Sequence, residues 1–202
     1  HQTSFDCPRK MNQFLLSLSA IIVASATVFP AFAQETKGDA SAGEKKNAMC
    51  IGCHGIVGYH ASFPEVYKVT KIYGQGGKYI AAALNAYKKG DRKHPSMRGV
   101  ADTLSAQDIA DLAAYYEASG SMAGSAVPTK IPGDSTKALA LIAKGGCAGC
   151  HGENFTSPVD ASYPKIAGQH SDYLYTALKA YKSEGNAPIG RSNAIMGGVA
   201  KQ

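Results

Sequence analysis

Four cysteines and two histidines are the residues best placed to do chemistry. Cys50 and Cys53 stand three apart and are followed at once by His54, and Cys147 and Cys150 are followed in the same way by His151. Side chains three apart on a helical turn share a face, so the two thiols of each pair point the same way. Thiols so placed can add to the two vinyl groups of one porphyrin, and the next residue offers an imidazole to the iron. The pattern reads as two sites of covalent c-type haem attachment. Three readings compete with it. A disulfide in an oxidising compartment explains the thiols but not the histidines. A thioredoxin-like redox pair wants a βαβ pattern, which this chain lacks. Zinc wants four ligands per site; His60 or His94 could complete the first set, but the second half offers only His170.

A sixth iron ligand is the next requirement. Met97 lies 43 residues after His54, and Met196 lies 45 after His151. Each is expected in a loop after a middle helix. A lone methionine usually fills core space, but repetition at equivalent positions points to a thioether opposite each histidine, an arrangement that raises a haem potential. Met49 and Met122 have no counterpart in the other half, and Met49 reads as packing. His60, His94 and His170 read as surface or core histidines, with His94 the first substitute ligand to consider because it is close to Met97.

The elements that position these groups occur twice. Lys71-Ile72, Gly74-Gln75, Tyr79 and Leu84 through Lys88 recur at a constant offset of 94 residues as Lys165-Ile166, Gly168-Gln169, Tyr173 and Leu178 through Lys182. Met97 with Gly99-Val100-Ala101 recurs as Met196 with Gly198-Val199-Ala200 after a short insertion. The fold class is all-α. A helix is expected from Asp39 or Ser41 into the first attachment site, and an amphipathic one over 78–89. Ser105 with Asp108 signals an N-terminus, and Ile109, Leu112, Ala113 and Tyr116 follow at helical spacing up to Gly120. In the second copy, Ser135 is expected to start a helix running to Cys147, and 172–183 repeats the middle helix. The expected domains are 35–119 and 134–202, joined by a Pro/Gly-rich linker over 120–133. No counterpart of the 105–119 helix follows Gln202, so the second domain is expected to be truncated at its C-terminus.

Residues 1–33 read as upstream residues plus a signal peptide. Phe14 to Phe29 is an apolar run, and Pro30 and Ala31-Phe32-Ala33 follow as a small-residue cleavage signal. The alternative is an uncleaved anchor. Cys7, the fifth cysteine, falls in this segment. Either way the body is exported, which implies a periplasmic location. The formal charge is +6, and +5 without residues 1–33. No run of Lys or Arg exceeds a pair, so no nucleic-acid tract is indicated.

The two Cys-x-x-Cys-His-Gly units, the Lys-Ile-x-Gly-Gln before each middle helix and the Met-x-Gly-Val-Ala resemble the dihaem class I cytochromes c of the cytochrome c4 type. The resemblance covers about 39–119 and 135–202. It implies two tandem class I cytochrome c domains and two covalently bound c-type haems. Cys50, Cys53, Cys147 and Cys150 would hold the porphyrins, His54 and His151 would be proximal ligands, and Met97 and Met196 distal ones. It also implies a non-enzymatic electron carrier whose partners are redox proteins: a terminal oxidase, a reductase or a dehydrogenase. Membrane association through a partner or the uncleaved N-terminus fits the same reading. The alternatives are a cytochrome subunit of a dehydrogenase complex, or a dihaem peroxidase, which needs an open iron. The family has Pro before the Lys-Ile pair, whose carbonyl orients the haem histidine. Pro164 fits, but Thr70 stands in the first copy, where residues 65–70 look inserted after Pro64. The carbonyl partner of His54 is therefore in question.

Overall fold

A computed structural model describes residues 36–120, 135–183 and 188–202. The leader over 1–33 and nearly all of the 120–133 linker lie outside the described residues. In the first half, α1 (Ala40–Lys46) starts where the Asp39 carboxylate accepts from the N–H groups of Ser41 and Ala42. After Asn47, α2 (Ala48–His54) carries the first attachment motif. Next come α3 (Gly77–Lys89), stopped by Gly90 at φ 86°, then α4 (Pro95–Asp102) and α5 (Ala106–Ala118). The Ser105–Asp108 capping box at the start of α5 forms as expected. The second half supplies α6 (Thr136–Lys144), α7 (Cys147–His151), α8 (Ser171–Lys182) and α9 (Ala194–Lys201).

The helical expectation needs three corrections. The helix from Ser135 to Cys147 is interrupted, because Gly146 adopts a left-handed φ of 62° between α6 and α7. Met97 and Met196 sit in the first turns of α4 and α9 rather than in loops. The His94 ring and the Asn193 amide cap those turns by accepting from the methionine N–H groups, at 3.4 and 2.9 Å. Two antiparallel pairs of two-residue strands also form: β1 (His60–Ala61) with β2 (Tyr67–Lys68), and β3 (Arg92–Lys93) with β4 (Gly190–Arg191). These lie below the length at which alternation shows in a sequence.

Among the described residues the clustered apolar core lies in the first half. Ile80, Leu104, Ile109, Leu112, Ala113 and Tyr116 form it, with Cys50, Ile72 and Leu84 packed against it. The backbones of α1 and α5 run so close that a side chain at Gly43 would come within 2.1 Å of the Asp111 carbonyl. Asp111 is buried there and accepts from Asp39 N, Gln107 Nε2 and Lys46 Nζ. In the second half Leu139, Leu141 and Ile142 on α6 are exposed. Among the described residues no helix packs on α6 as α5 packs on α1.

The two halves meet through the repeated turns. Lys71 N–H donates to Gln169 Oε1 at 3.0 Å, and Gln169 Nε2 donates back to the Lys71 carbonyl at 3.0 Å. Lys165 N–H and carbonyl make the same exchange with Gln75, at 2.9 Å each way. Lys71 Nζ reaches the Gly168 carbonyl and Lys165 Nζ the Gly74 carbonyl, both at 2.9 Å. Gly74 and Gly168 both adopt φ 72°, which turns those carbonyls toward the other half at no Cβ cost. A second layer joins β3 to β4. Arg92 and Arg191 are register partners there, and each guanidinium donates to a tyrosine hydroxyl, Tyr79 at 3.1 Å and Tyr173 at 2.9 Å.

Two outcomes follow for stability. Gln75 is 3% exposed, so Gln75→Ala leaves the Lys165 amide and carbonyl unpaired and should lower unfolding free energy by about 1–3 kcal/mol, measured by denaturant titration. The second concerns acid. Lys46, bonded to Asp108 and Asp111, holds both carboxyls below the usual range, helped by Ser105 at Asp108 and by Asp39 N–H at Asp111. Their stabilising contribution is complete above an unfolded-chain Asp pKa of about 3.9 and is lost as pH falls through the depressed native values. Thermal midpoints should therefore drop below about pH 4, and less steeply in Lys46→Met.

Candidate haem sites

The first attachment motif occupies the last turns of α2. Cys50 faces the core, where burial pushes its thiol up. Cys53 and His54 line a cavity of about 750 Å3, and Met97 lines it too. His54 Nδ1 donates to the carbonyl of Thr70 at 2.7 Å. That answers the question raised by the sequence: a backbone carbonyl serves whichever side chain it belongs to, so Thr70 does what Pro164 does. The 60–68 hairpin absorbs the inserted residues ahead of Thr70 and leaves the acceptor at its offset of 94 from Pro164. Burial holds the His54 imidazole below its usual range, against the pull of the Thr70 carbonyl. A neutral ring with its proton fixed on Nδ1 has its Nε2 lone pair free to ligate.

In the second half, α7 carries Cys147, Cys150 and His151. His151 is 8% exposed and its Nδ1 donates to the Pro164 carbonyl at 2.9 Å. Met196 enters on α9, which reaches the turn before α7. A side chain at Gly145 would lie 3.3 Å from Cys147 Sγ and 3.5 Å from Val199. A second cavity, of about 540 Å3, lies along β4 and α9 beside Arg191 and Asn193, and its lining includes neither His151 nor Met196. The structure thus gathers the first ligand set around one space and brings the second only into neighbouring elements.

No disulfide joins any of Cys50, Cys53, Cys147 and Cys150, so the disulfide reading has no counterpart among the described residues. Neither has zinc: no group of three or more His, Cys, Asp or Glu is placed to hold an ion there. His94 is engaged elsewhere. Its Nδ1 caps α4, and its Nε2 lies 3.1 Å from the Tyr67 hydroxyl. It is a structural histidine beside the site. A pair of thiols on one turn, a neutral imidazole and a thioether across a cavity within the usual size of cofactor sites suit a covalently attached haem.

Comparison with known proteins agrees. The family model for cytochrome c matches residues 37–118 and 136–202. The chain belongs to the cytochrome c family. It is 34% identical over 177 residues to the cytochrome c4 of Azotobacter vinelandii, covering 81% of each chain. The solved cytochrome c4 of Acidithiobacillus ferrooxidans matches with a TM-score of 0.58 at 26% identity, over 77% of this chain and 90% of that one. A thiosulfate dehydrogenase electron acceptor of Thiomonas intermedia is 31% identical over 161 residues, 73% of this chain and 70% of its own. The resemblance to the cytochrome c4 type holds: this cytochrome has two cytochrome c domains and two covalently bound c-type haems, and it transfers electrons.

Sequence reasoning missed several residues of this region. Tyr67, Arg92 and, from the other half, Tyr173 and Arg191 line the first cavity. Tyr79 and Tyr173 were visible as a repeated pair. Arg92 and Arg191 are offset by 99, so the insertion that shifts Met196 hid them as a pair. Since the partner of His54 is a main-chain carbonyl, Thr70→Ala should leave the axial-ligand spectrum and the His54 Nδ1 proton resonance unchanged.

Proposed function

We propose that this cytochrome is a periplasmic electron carrier working between redox-protein partners. In this reading Cys50 and Cys53 hold one porphyrin and Cys147 and Cys150 the other. His54 and Met97 are the axial ligands of the first iron, and His151 and Met196 those of the second. The observation that carries the reading is the cavity lined by Cys53, His54 and Met97 together. A haem held in this way supplies a one-electron couple whose axial ligands stay the same in both states. The chain's own part is to fix the ligands. Thr70 and Pro164 carbonyls set the histidine rings, and the His94 and Asn193 caps set the turns that carry the methionines.

Export is supported by the apolar run and the small-residue site at the N-terminus. No helix among the described residues is long and apolar enough to cross a membrane. A docking face is supported around the first attachment site, where Ile51, Ile56 and Val57 are exposed, Val57 at 95%. Lys88 is turned onto the Leu104 carbonyl and Lys89 lies 3.6 Å from Asp91. A solvated apolar face of this kind suits a short-lived encounter. The similarity to a thiosulfate dehydrogenase electron acceptor favours a second reading, in which the partner is a dehydrogenase that delivers electrons to this chain. A dihaem peroxidase needs an open iron, and at the first site Met97 stands in the cavity with His54.

A redox titration with ligand-sensitive spectra tests the assignment. Wild type should show two haems per chain, both with the weak red-edge absorption band of methionine ligation. Met97→Ala and Met196→Ala should each remove half of that band and lower one midpoint potential, by a fraction of the ~0.8 V range that axial ligands command. An intact band in either variant would refute that ligand.

A further inference from the structure

The carbonyl that holds His54 and the N–H that bonds Gln169 belong to the same peptide group. Thr70 C=O accepts from His54 Nδ1 at 2.7 Å, and the next atom pair along the chain, Lys71 N–H, donates to Gln169 Oε1 at 3.0 Å. The mirror arrangement holds in the other half. Pro164 C=O accepts from His151 Nδ1 at 2.9 Å, and Lys165 N–H donates to Gln75 Oε1 at 2.9 Å. Each histidine is therefore one planar peptide away from a glutamine of the opposite domain. The glutamine amides are themselves held. Gln169 Oε1 also accepts from His170 N–H and Gln75 Oε1 from Gly76 N–H, both at 3.0 Å, and each Nε2 donates across the interface.

We propose that Gln169 is a positioning residue for His54, and Gln75 for His151, each acting across the domain interface through a single peptide group. The proposal rests on the reading of both histidines as axial ligands. Its physics is bond polarisation along a hydrogen-bonded chain. A peptide whose N–H donates to a good acceptor carries more negative charge on its carbonyl oxygen, with strengthening of about 10–30% per bond. A more negative carbonyl draws harder on the imidazole Nδ1 proton and makes the ring a more basic ligand. A more basic ligand favours the oxidised iron and lowers the potential. The peptide plane also transmits geometry. A shift of Gln169 rotates the Thr70 carbonyl, and the His54 ring with it.

The wiring is crossed, and the test reads the crossing. Midpoint potentials are measured on the haem-loaded full chain, with each haem identified by the signals that disappear in Met97→Ala or Met196→Ala. Gln169→Ala should raise the potential of the first haem, changing its reduced-to-oxidised ratio at fixed ambient potential about threefold, or ~28 mV at 59 mV per tenfold for one electron. It should shift the His54 Nδ1 proton resonance and leave the second haem where it was. Gln75→Ala should do the reverse. Gln169→Glu keeps an acceptor for Lys71 N–H and makes it anionic, so it should move the first haem the other way. That variant also keeps the test decisive if the alanine forms fold poorly. The proposal fails if each alanine variant moves both haems equally, which is general loosening of the interface, or moves only the haem of its own domain, or moves neither. If wild type lacks histidine-ligated haem at either site, the ligand assignment fails instead. A wild type with both ligands and no crossed pattern sinks this inference alone.

Discussion

The exchange of amide hydrogen bonds between Lys71 and Gln169, and between Lys165 and Gln75, is the constraint on which the rest of the molecule depends. Each exchange satisfies the donor and acceptor of a main-chain residue that belongs to no helix. Without them the two turns would have to find water or each other in some other register. With them the turns are fixed, and so are the carbonyls of Thr70 and Pro164 that precede them. The short strands β3 and β4 sit farther along the same interface. They bring two arginines directly opposite one another, an arrangement that like charges oppose. The tyrosines offset it: Arg92 lies over Tyr79 and Tyr87, and Arg191 over Tyr173 and Tyr181, at 5.2–5.8 Å from the ring centroids. Burial pushes the Tyr173 hydroxyl up, but the charges of Arg191 and Arg92 outweigh it and hold the group below the usual tyrosine range.

Much of this could be read from the residues alone. The attachment motifs need only covalent spacing, and the capping box at Ser105 needs only four consecutive residues, so both survive translation from sequence to structure. The 94-residue repeat was equally plain, because duplicated segments keep their spacing. What it could not reveal was the use of the repeat. Lys-Ile-x-Gly-Gln looks like a lead-in to a helix when one copy is considered. Only when two copies face each other does its glutamine become a main-chain partner 98 residues away. Pairing of distant backbone segments leaves no periodic signature in either segment.

The local errors have local causes. From sequence, Met97 reads as a loop residue between the middle helix and the Gly-Val-Ala stretch. Pro95 in the first turn and the ring of His94 as its cap make that stretch a helix instead. Proximity to Met97 makes His94 look like a ligand in the sequence, but both of its ring nitrogens are already committed. Thr70 departs from the proline pattern in its side chain only, and its carbonyl still meets His54. A main-chain acceptor is indifferent to its side chain, provided the chain arrives at the same place.

The hairpin at 60–68 has no equivalent in the second copy, where Ala161 to Pro164 run directly into Lys165. It reaches across to the other half. Glu65 bonds Thr176 and Lys179, and Lys68 bonds Asp172 through its main-chain N–H. The hairpin thus adds to the difference that α5 already makes between the two halves. The first half carries a strap over the second, and no matching hairpin returns it among the described residues. A visiting protein therefore meets two unlike domains and can tell one from the other by outline alone.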